Sequence, residues 1–308
     1  MKHHLYILAL IALLLASQAC ALPWTPAEET PPPVEVEEII VTETLPPTDS
    51  PEPTEPTEEP TEEPTEEPTE EPFACGPGMA AASAFTVEFC YPEAYSTGFM
   101  QVRVPENPPS ADLPIWGVNP DLIEITLTGY PVVNEYHDPI VRIYPVADFV
   151  ALEPRIQTLV DELVALLANG TTDPAIIPFV PIFNAAQMMQ AQVTYLDFRN
   201  GQGVRFITQY SQGAIPISND SAFYAFIGLT DDGAYLISAT MPITHPLFYP
   251  DMLTEPPEGW QTFAENLETY LSNMETDLLT QPADSFFPHL TPLDEMMASF
   301  LIPPDAVP

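Results

Sequence analysis

Basic residues are scarce in this sequence. Its 308 residues include six Lys and Arg against 45 Asp and Glu, which gives a formal net charge of -39. Residues 73–308 contain five arginines, no lysine and 28 acidic residues. Because proteins that bind phosphates cluster Lys and Arg on one surface, we expect no nucleic-acid partner. The acidity is compatible with cationic partners or divalent ions, but it is more typical of a surface that keeps a protein soluble.

Long hydrophobic runs are also lacking. The apolar run at residues 5–16 has twelve residues, whereas a helix needs about 20 to span a bilayer. It follows Lys2 and precedes the small residues Ser17 and Ala19. Residues 1–19 are therefore predicted to be a signal peptide that directs export.

The end of this segment resembles the signal of a bacterial envelope lipoprotein, whose mature chain begins with a cysteine acylated on its sulfur and its amine. Ala19 and Cys20 fit that pattern, whereas Ser17 stands where an aliphatic residue is usual. The resemblance implies a lipid anchor at Cys20, and two acyl attachments make an anchor stable. We expect a membrane-anchored, extracytoplasmic location in the cell envelope, with simple secretion after ordinary cleavage as the alternative.

Glycine is absent from residues 23–72, which contain 14 prolines and 17 acidic residues. Within them, Thr57–Pro72 consists of four consecutive Thr-Glu-Glu-Pro repeats. Such a segment cannot bury enough apolar surface to offset the entropy of ordering it. We predict that residues 20–72 form a disordered stalk, which proline and mutually repelling glutamates extend to at most about 150 Å.

Only three cysteines are present. With Cys20 assigned to the anchor, Cys75 and Cys90 remain as one pair, which outside the cytoplasm favours a disulfide over a metal or redox site. Two unpaired thiols are the alternative. A bridge would join the end of the stalk to the folded domain.

Residues 73–308 are predicted to form a single globular domain of the α+β class. Alternating apolar and polar residues predict strands, including two hairpins that turn near Asn200-Gly201 and at Asp231-Asp232-Gly233. In the first hairpin Arg205 shares a face with apolar residues, so we expect a partly buried, structural ion pair there. The strands cover residues 84–91, 99–104, 122–128, 140–146, 190–198, 203–211, 222–230 and 234–242.

Helical spacing of apolar residues predicts three helices packed on an antiparallel sheet. The first covers residues 154–169 and ends before Gly170. The second carries an apolar stripe over residues 260–274. The third begins with Thr291 as N-cap and Pro292 at the first helical position.

Three of these features resemble the PsbP-like α/β/α sandwich family. They are the aromatic strand Val87–Pro92, the hairpin closed by Asp232-Gly233, and a terminal helix that ends at Ser299-Phe300. The resemblance spans about residues 85–302 and implies a sandwich fold and a non-enzymatic accessory or binding role. The chain departs from the family in size and carries extra segments.

No catalytic motif is present. His137, His245 and His289 lie far apart in the sequence, and the segment around Ser211 lacks the first glycine of a nucleophile elbow. Glu135-Tyr136-His137-Asp138 offers three metal ligands but is more typical of a polar, solvated turn. We predict no enzymatic activity, no metal and no cofactor. A hydrolase that assembles a pair such as Ser211 and His245 from distant residues is the less favoured alternative.

The sequence thus predicts an exported, lipid-anchored surface protein that presents a non-enzymatic ligand- or protein-binding domain on an extended acidic stalk. We expect a monomer whose partners are the membrane, through its lipid, and an envelope protein or a small ligand. The alternative is an envelope assembly or accessory factor that stays docked on its partner. The sequence identifies no ligand-binding residue.

Overall fold

The computed structural model describes residues 74–110, 113–172 and 174–306. The predicted signal peptide, the Cys20 anchor and the stalk up to residue 72 lie outside the described residues. Within the described part of the chain, no helix is both long and apolar enough to cross a membrane.

Eleven strands lie among the described residues. They are β1 (Met79–Ala84), β2 (Val87–Pro92), β3 (Gly98–Val104), β4 (Leu122–Thr128), β5 (Ile140–Pro145), β6 (Ala186–Gln187), β7 (Ala191–Phe198), β8 (Gly201–Thr208), β9 (Tyr210–Ser211), β10 (Phe223–Thr230) and β11 (Tyr235–Pro242). Seven of them form one antiparallel sheet in the order β3-β4-β5-β11-β10-β8-β7. β1 pairs with β2, and β6 with β9, in two small separate ladders.

The same part of the chain contains five α-helices. They are α1 (Val146–Leu152), α2 (Arg155–Asn169), α3 (Trp260–Glu265), α4 (Leu267–Leu279) and α5 (Leu290–Ala298). Two short 3-10 helices accompany them, at Ile115–Gly117 and Ala283–Ser285.

Alternate residues of a strand point to opposite faces of the sheet, so one strand contributes to two cores. On β10, Phe223, Ala225 and Ile227 join a core that contains residues of α1 and α2. Tyr224 and Phe226 join a second core with residues of α4, α5 and the β1–β2 hairpin. Helices packed on an antiparallel sheet confirm the predicted α+β class.

Several local predictions are confirmed. α2 ends at Gly170, which has a φ of 60° and caps the helix. The β10–β11 hairpin turns at residues 231–233, where Gly233 has a φ of 71°. Ile123 and Ile125 of β4 are fully buried, as their alternation predicted.

The predicted strand at residues 84–91 is wrong in its first part. A turn lies there instead, because β1 ends at Ala84 and pairs with Val87 at the start of β2. Phe85 occupies the turn with a φ of 55° and is 38% exposed. Its ring lies 4.7 Å from the guanidinium carbon of Arg103, so a cation–π contact replaces the expected core packing.

Other boundaries are also corrected. The stripe at residues 260–274 is two helices, α3 and α4, separated at Asn266, whose side-chain Nδ2 donates to the carbonyl oxygen of Thr262 over 2.8 Å. Helix α5 begins at Leu290 with His289 at the N-cap position, so Thr291 is not the cap. The first hairpin turns at Arg199-Asn200, one residue before Asn200-Gly201, because Phe198 pairs with Gly201.

A disulfide and a buried ion pair hold the two ends of the domain in place. Cys75 and Cys90 are joined by a disulfide, with their Cα atoms 5.9 Å apart. Arg205 of β8 is buried and forms the expected ion pair, with Nε 3.0 Å from Oδ1 of Asp294 on α5. The first link holds the incoming chain to β2, and the second holds the last helix to the sheet.

Candidate functional site

Four loops meet at one end of the sheet. The strands that carry them, β5, β11, β10, β8 and β7, are neighbours and antiparallel, so β5, β10 and β7 begin where β11 and β8 end. Phe223 at the start of β10 pairs with Thr208 at the end of β8 and with Pro242 at the end of β11. The loops are residues 129–139, 174–190, 209–222 and 243–259.

These loops enclose a cleft of about 460 Å³. Ligand pockets in proteins commonly have volumes of about 300–1,000 Å³. The walls combine aromatic and aliphatic side chains with hydroxyl and amide groups, and none of the lining residues is an Asp, Glu, Lys or Arg. The lining residues are Tyr136, His137, Phe183, Asn184, Ala185, Tyr210, Ser211, Gln212, Ile215, Ser221 and Met252.

One side of the cleft is an aromatic wall, formed by His137, Phe183 and Tyr210. The ring centroids of Phe183 and Tyr210 are 4.5 Å apart, and those of His137 and Phe183 are 5.4 Å apart. The buried rings of Phe179 and Phe223 pack against the wall. The ring centroids of Phe223 and His137 are 4.2 Å apart, and those of Phe179 and Phe183 are 6.1 Å apart. These rings pack on one another, so the wall is already formed in the structure without a ligand.

His137 is held in the wall as a neutral imidazole. Its backbone N–H donates to Oδ1 of Asn134 over 3.0 Å. Burial, and to a lesser extent the charge of Arg142, lowers the pKa of His137 from 6.5 to about 4. A neutral imidazole has one donor and one acceptor nitrogen. No hydrogen bond to this ring is found among the described residues, so both nitrogens remain available to a ligand.

Two hydroxyl groups add polar contacts to the cleft. Ser221 lines the cleft, and its hydroxyl makes no hydrogen bond to the described residues. Because no buried side-chain oxygen or nitrogen among these residues lacks a partner, this hydroxyl is open to the space of the cleft. The phenol oxygen of Tyr210 accepts from Nε2 of Gln187 over 2.8 Å, which fixes the ring and leaves the phenol proton to donate. Burial raises the pKa of Tyr210, so this proton is retained at neutral pH.

Side-chain hydrogen bonds tie three of the loops together. Asn134 accepts the N–H groups of Tyr136 and His137 and donates from Nδ2 to the carbonyl oxygen of Ala222 over 3.3 Å. Asp220 accepts from Oγ of Ser218 over 2.6 Å and from the N–H of Met252 over 3.3 Å. Asn134 and Asp220 thus bond both to neighbours in their own loop and to the backbone of another loop.

The structure does not bring together the serine and histidine of the hydrolase alternative. Oγ of Ser211 is bonded to the backbone of Gly213, as a donor over 2.9 Å and as an acceptor over 3.0 Å. Nδ1 of His245 accepts the N–H of Leu247, so the ring proton lies on Nε2 and points to Oγ of Ser285, 3.1 Å away. His245 therefore cannot take a proton from Ser285 in this tautomer.

The remaining candidates lie apart from one another. His289 is exposed at the start of α5, where its backbone N–H donates to the phenol oxygen of Tyr95 over 3.2 Å. Within the described residues, no three His, Cys, Asp or Glu side chains are grouped closely enough to hold a metal ion. Of the three histidines that the sequence singles out, His137 is the one that lines this cleft.

The sequence matches no protein-family profile and no curated protein at a significant level. Among solved structures, the chain is similar to the solution structure of cyanobacterial PsbP (CyanoP) from Synechocystis sp. PCC 6803. The likeness is faint. The two chains are 12% identical, the match covers 69% of this chain and 96% of CyanoP, and the TM-score is 0.24. At this level the likeness is a faint resemblance in fold.

The pKa of His137 predicts a pH-dependent stability. Between pH 6.5 and about 4, His137 is protonated in the unfolded chain but stays neutral in the folded chain. The free energy of unfolding therefore falls as the pH drops through this range. We expect wild type to lose about 2 kcal/mol more than His137→Phe between pH 7 and pH 5, measured by urea unfolding. His289→Phe, at an exposed position, is the control and should follow wild type. Equal pH dependence in wild type and His137→Phe would contradict the assignment.

Proposed function

We propose that this protein is an exported, lipid-anchored binding protein whose domain takes a small molecule into the loop-end cleft. The observation that carries the proposal is the cleft itself, whose lining combines an aromatic wall, the hydroxyl of Ser221 and the neutral imidazole of His137. An apolar enclosure with a few convergent polar groups is the usual form of a ligand site. The Thr-Glu-Glu-Pro stalk would hold the domain away from the membrane.

The contacts in the cleft favour binding over catalysis. Nucleophilic catalysis needs a hydroxyl or thiol within hydrogen-bond reach of a base. Among the described residues, the hydroxyl of Ser211 is bonded to backbone and the ring of His137 has no hydrogen bond to a serine. Both groups are placed to contact a ligand, and neither is placed to activate the other.

A plugged cleft tests the proposal. Ala185 lines the cleft, so Ala185→Trp should fill it, whereas Ala165→Trp on the exposed side of α2 adds the same bulk elsewhere. The full chain is purified from its own envelope fraction, and bound small molecules are extracted and identified by mass spectrometry. We expect the same compound from wild type and Ala165→Trp, and a loss of at least about tenfold from Ala185→Trp. Equal recovery from all three would place the compound elsewhere and reject the cleft.

The anchor has a separate test. Mass spectrometry of the mature N-terminus should find Cys20 as the first residue, acylated on its sulfur and its amine. An unmodified Cys20, or a mature chain that begins at another residue, would reject the anchor and leave simple secretion. The ligand proposal does not depend on this outcome.

The edge of the sheet favours the accessory-factor alternative. β3 is an outer strand that pairs only with β4 among the described residues, and its Met100 and Val102 are 57% and 53% exposed. An exposed edge strand can pair with a strand of another protein. If the purification above recovers a stoichiometric envelope protein and no small molecule, this second function replaces the first.

A further inference from the structure

Several residues that line the cleft have an acidic residue next to them in the sequence. Four lining residues, Tyr136, His137, Ser221 and Met252, have such a neighbour. These acidic neighbours are, in the same order, Glu135, Asp138, Asp220 and Asp251. Three of the four loops therefore place a carboxylate next to a residue that lines the cleft. Two of these acidic residues also meet in space, because the backbone N–H of Glu135 donates to the carbonyl oxygen of Asp220 over 3.2 Å. Carboxylates beside a cleft give it a negative potential, which attracts cations and repels anions.

The carboxylates act at the mouth of the cleft. Tyr136 lines it and is 54% exposed. Desolvation raises the pKa of Tyr136 first, and the negative charges of Glu135 and Asp220 raise it further. Both carboxylates therefore lie near the phenol of Tyr136, on the side where the cleft meets solvent.

A positive charge near the cleft, that of Arg142, is already paired. Arg142 lies close enough to His137 to lower the pKa of that imidazole. However, Nε of Arg142 is 2.9 Å from Oε2 of Glu124, in a pair that is about three-quarters buried on both sides. An ion pair acts at a distance as a dipole, so its effect falls off faster than that of the unpaired carboxylates.

The aromatic wall offers the other half of a cation site. The rings of His137 and Phe183 are inclined by 76°, and those of Phe183 and Tyr210 by 49°, so the wall forms a corner in place of a parallel stack. The negative face of an aromatic ring attracts a cation placed over it. Because the cleft is largely apolar, a bare metal ion would lose its hydration without gaining ligands, whereas an organic cation keeps apolar groups against the rings.

We propose that the loop-end cleft binds an organic cation, an ammonium group that carries apolar substituents, with the ammonium group against the rings of His137, Phe183 and Tyr210 and near the carboxylates of Glu135 and Asp220. This inference rests on the proposed function and specifies its ligand class. The unpartnered hydroxyl of Ser221 and the neutral imidazole of His137 are left to bond polar groups of the ligand.

Matched pairs of probes isolate the charge. Choline and 3,3-dimethylbutan-1-ol have the same shape and differ in one positive charge. Phenethylammonium and 2-phenylethanol share the phenylethyl group and differ in their terminal group, a charged ammonium in the first and a neutral hydroxyl in the second. Binding to the full chain is measured by calorimetry and by saturation-transfer NMR at low ionic strength. For at least one pair, we expect the cation to bind about tenfold more tightly than its neutral counterpart, because charge attraction adds to ring contact.

Three variants locate the bound cation. Phe183→Leu keeps an apolar side chain but removes a ring face, and Glu135→Gln removes a charge whose side chain makes no hydrogen bond among the described residues. Each should weaken the cation about threefold or more, and Glu135→Gln should leave the neutral probe unchanged. Asp197→Asn removes an exposed charge near the opposite end of β7 and should have no effect.

The outcomes separate this inference from the proposed function. Neutral probes that bind as tightly as the cations, and that lose affinity in Phe183→Leu, would reject the cation class and support a cleft for neutral ligands. Cation binding that falls equally in Glu135→Gln and Asp197→Asn would show charge attraction to the whole surface and reject the site. Failure of every cation to bind would also reject the inference, while the extraction experiment with Ala185→Trp decides the proposed function independently.

Discussion

Replacing Asp294 by alanine should lower the free energy of unfolding by about 3–5 kcal/mol, because it leaves a buried guanidinium without its counter-charge. Arg205 is 5% exposed, and its Nε and Nη2 lie 3.0 Å and 3.1 Å from the two carboxylate oxygens of Asp294. The phenol of Tyr224 donates to the same carboxylate over 3.0 Å. Urea unfolding of wild type and Asp294→Ala measures the loss.

Two further variants show whether the loss comes from an unpaired charge. Glu295→Ala removes the next carboxylate on α5, which is exposed, and should change stability by less than about 0.5 kcal/mol. The double variant Arg205→Met with Asp294→Leu removes both charges and should recover most of the loss, since apolar pairs often replace buried ion pairs without cost. A loss below about 1 kcal/mol in Asp294→Ala would show that water reaches Arg205.

This ion pair also shows which structural features can be predicted from the periodicity of the sequence and which cannot. Alternation along β8 places Arg205 on an apolar face, and burial there requires a partner, so an ion pair could be predicted. Its partner could not, because Asp294 lies 89 residues further along the chain. Local patterns determine which face a residue occupies, whereas packing of distant elements determines what it meets.

The failed predictions share a physical cause. Phe85 fits the alternation of residues 84–91, yet the chain reverses there, and the alanines of β1 give no apolar pattern to reveal a partner strand. Asn266 interrupts a helical stripe, because its amide bonds to the backbone of Thr262 and competes with helix continuation. In both places a turn, which depends on a few polar contacts, overrides a periodicity that depends on burial.

The cleft lay beyond sequence reasoning because no single segment contains it. Its lining residues come from four loops separated by whole strands and two helices, and the sheet order brings the loops to one end. The nearest signal is a repeated pairing of an aromatic or hydroxyl residue with a neighbouring acid, as in Glu135-Tyr136 and Asp220-Ser221. That pattern is common in solvated turns, so it gains meaning only when the loops are seen to converge.

Removal of the disulfide should destabilise the domain by about 3 kcal/mol, because the bond between Cys75 and Cys90 closes a loop with a sequence separation of 15. Urea unfolding of the double variant Cys75→Ser/Cys90→Ser measures this loss. A reductant should destabilise wild type by a similar amount and leave the double variant unchanged. Cys20→Ser keeps the pair and should unfold like wild type.

The loss should be concentrated in the β1–β2 hairpin. This hairpin is outside the seven-stranded sheet and is held by the disulfide, by the N–H of Cys90 donating to Oγ of Ser299 over 2.7 Å, and by stacking of Phe89 on Phe300. Without the bond, hydrogen exchange should speed up in residues 79–92 more than in β10 and β11, which lie inside the sheet. Uniform acceleration across the domain would contradict a local role.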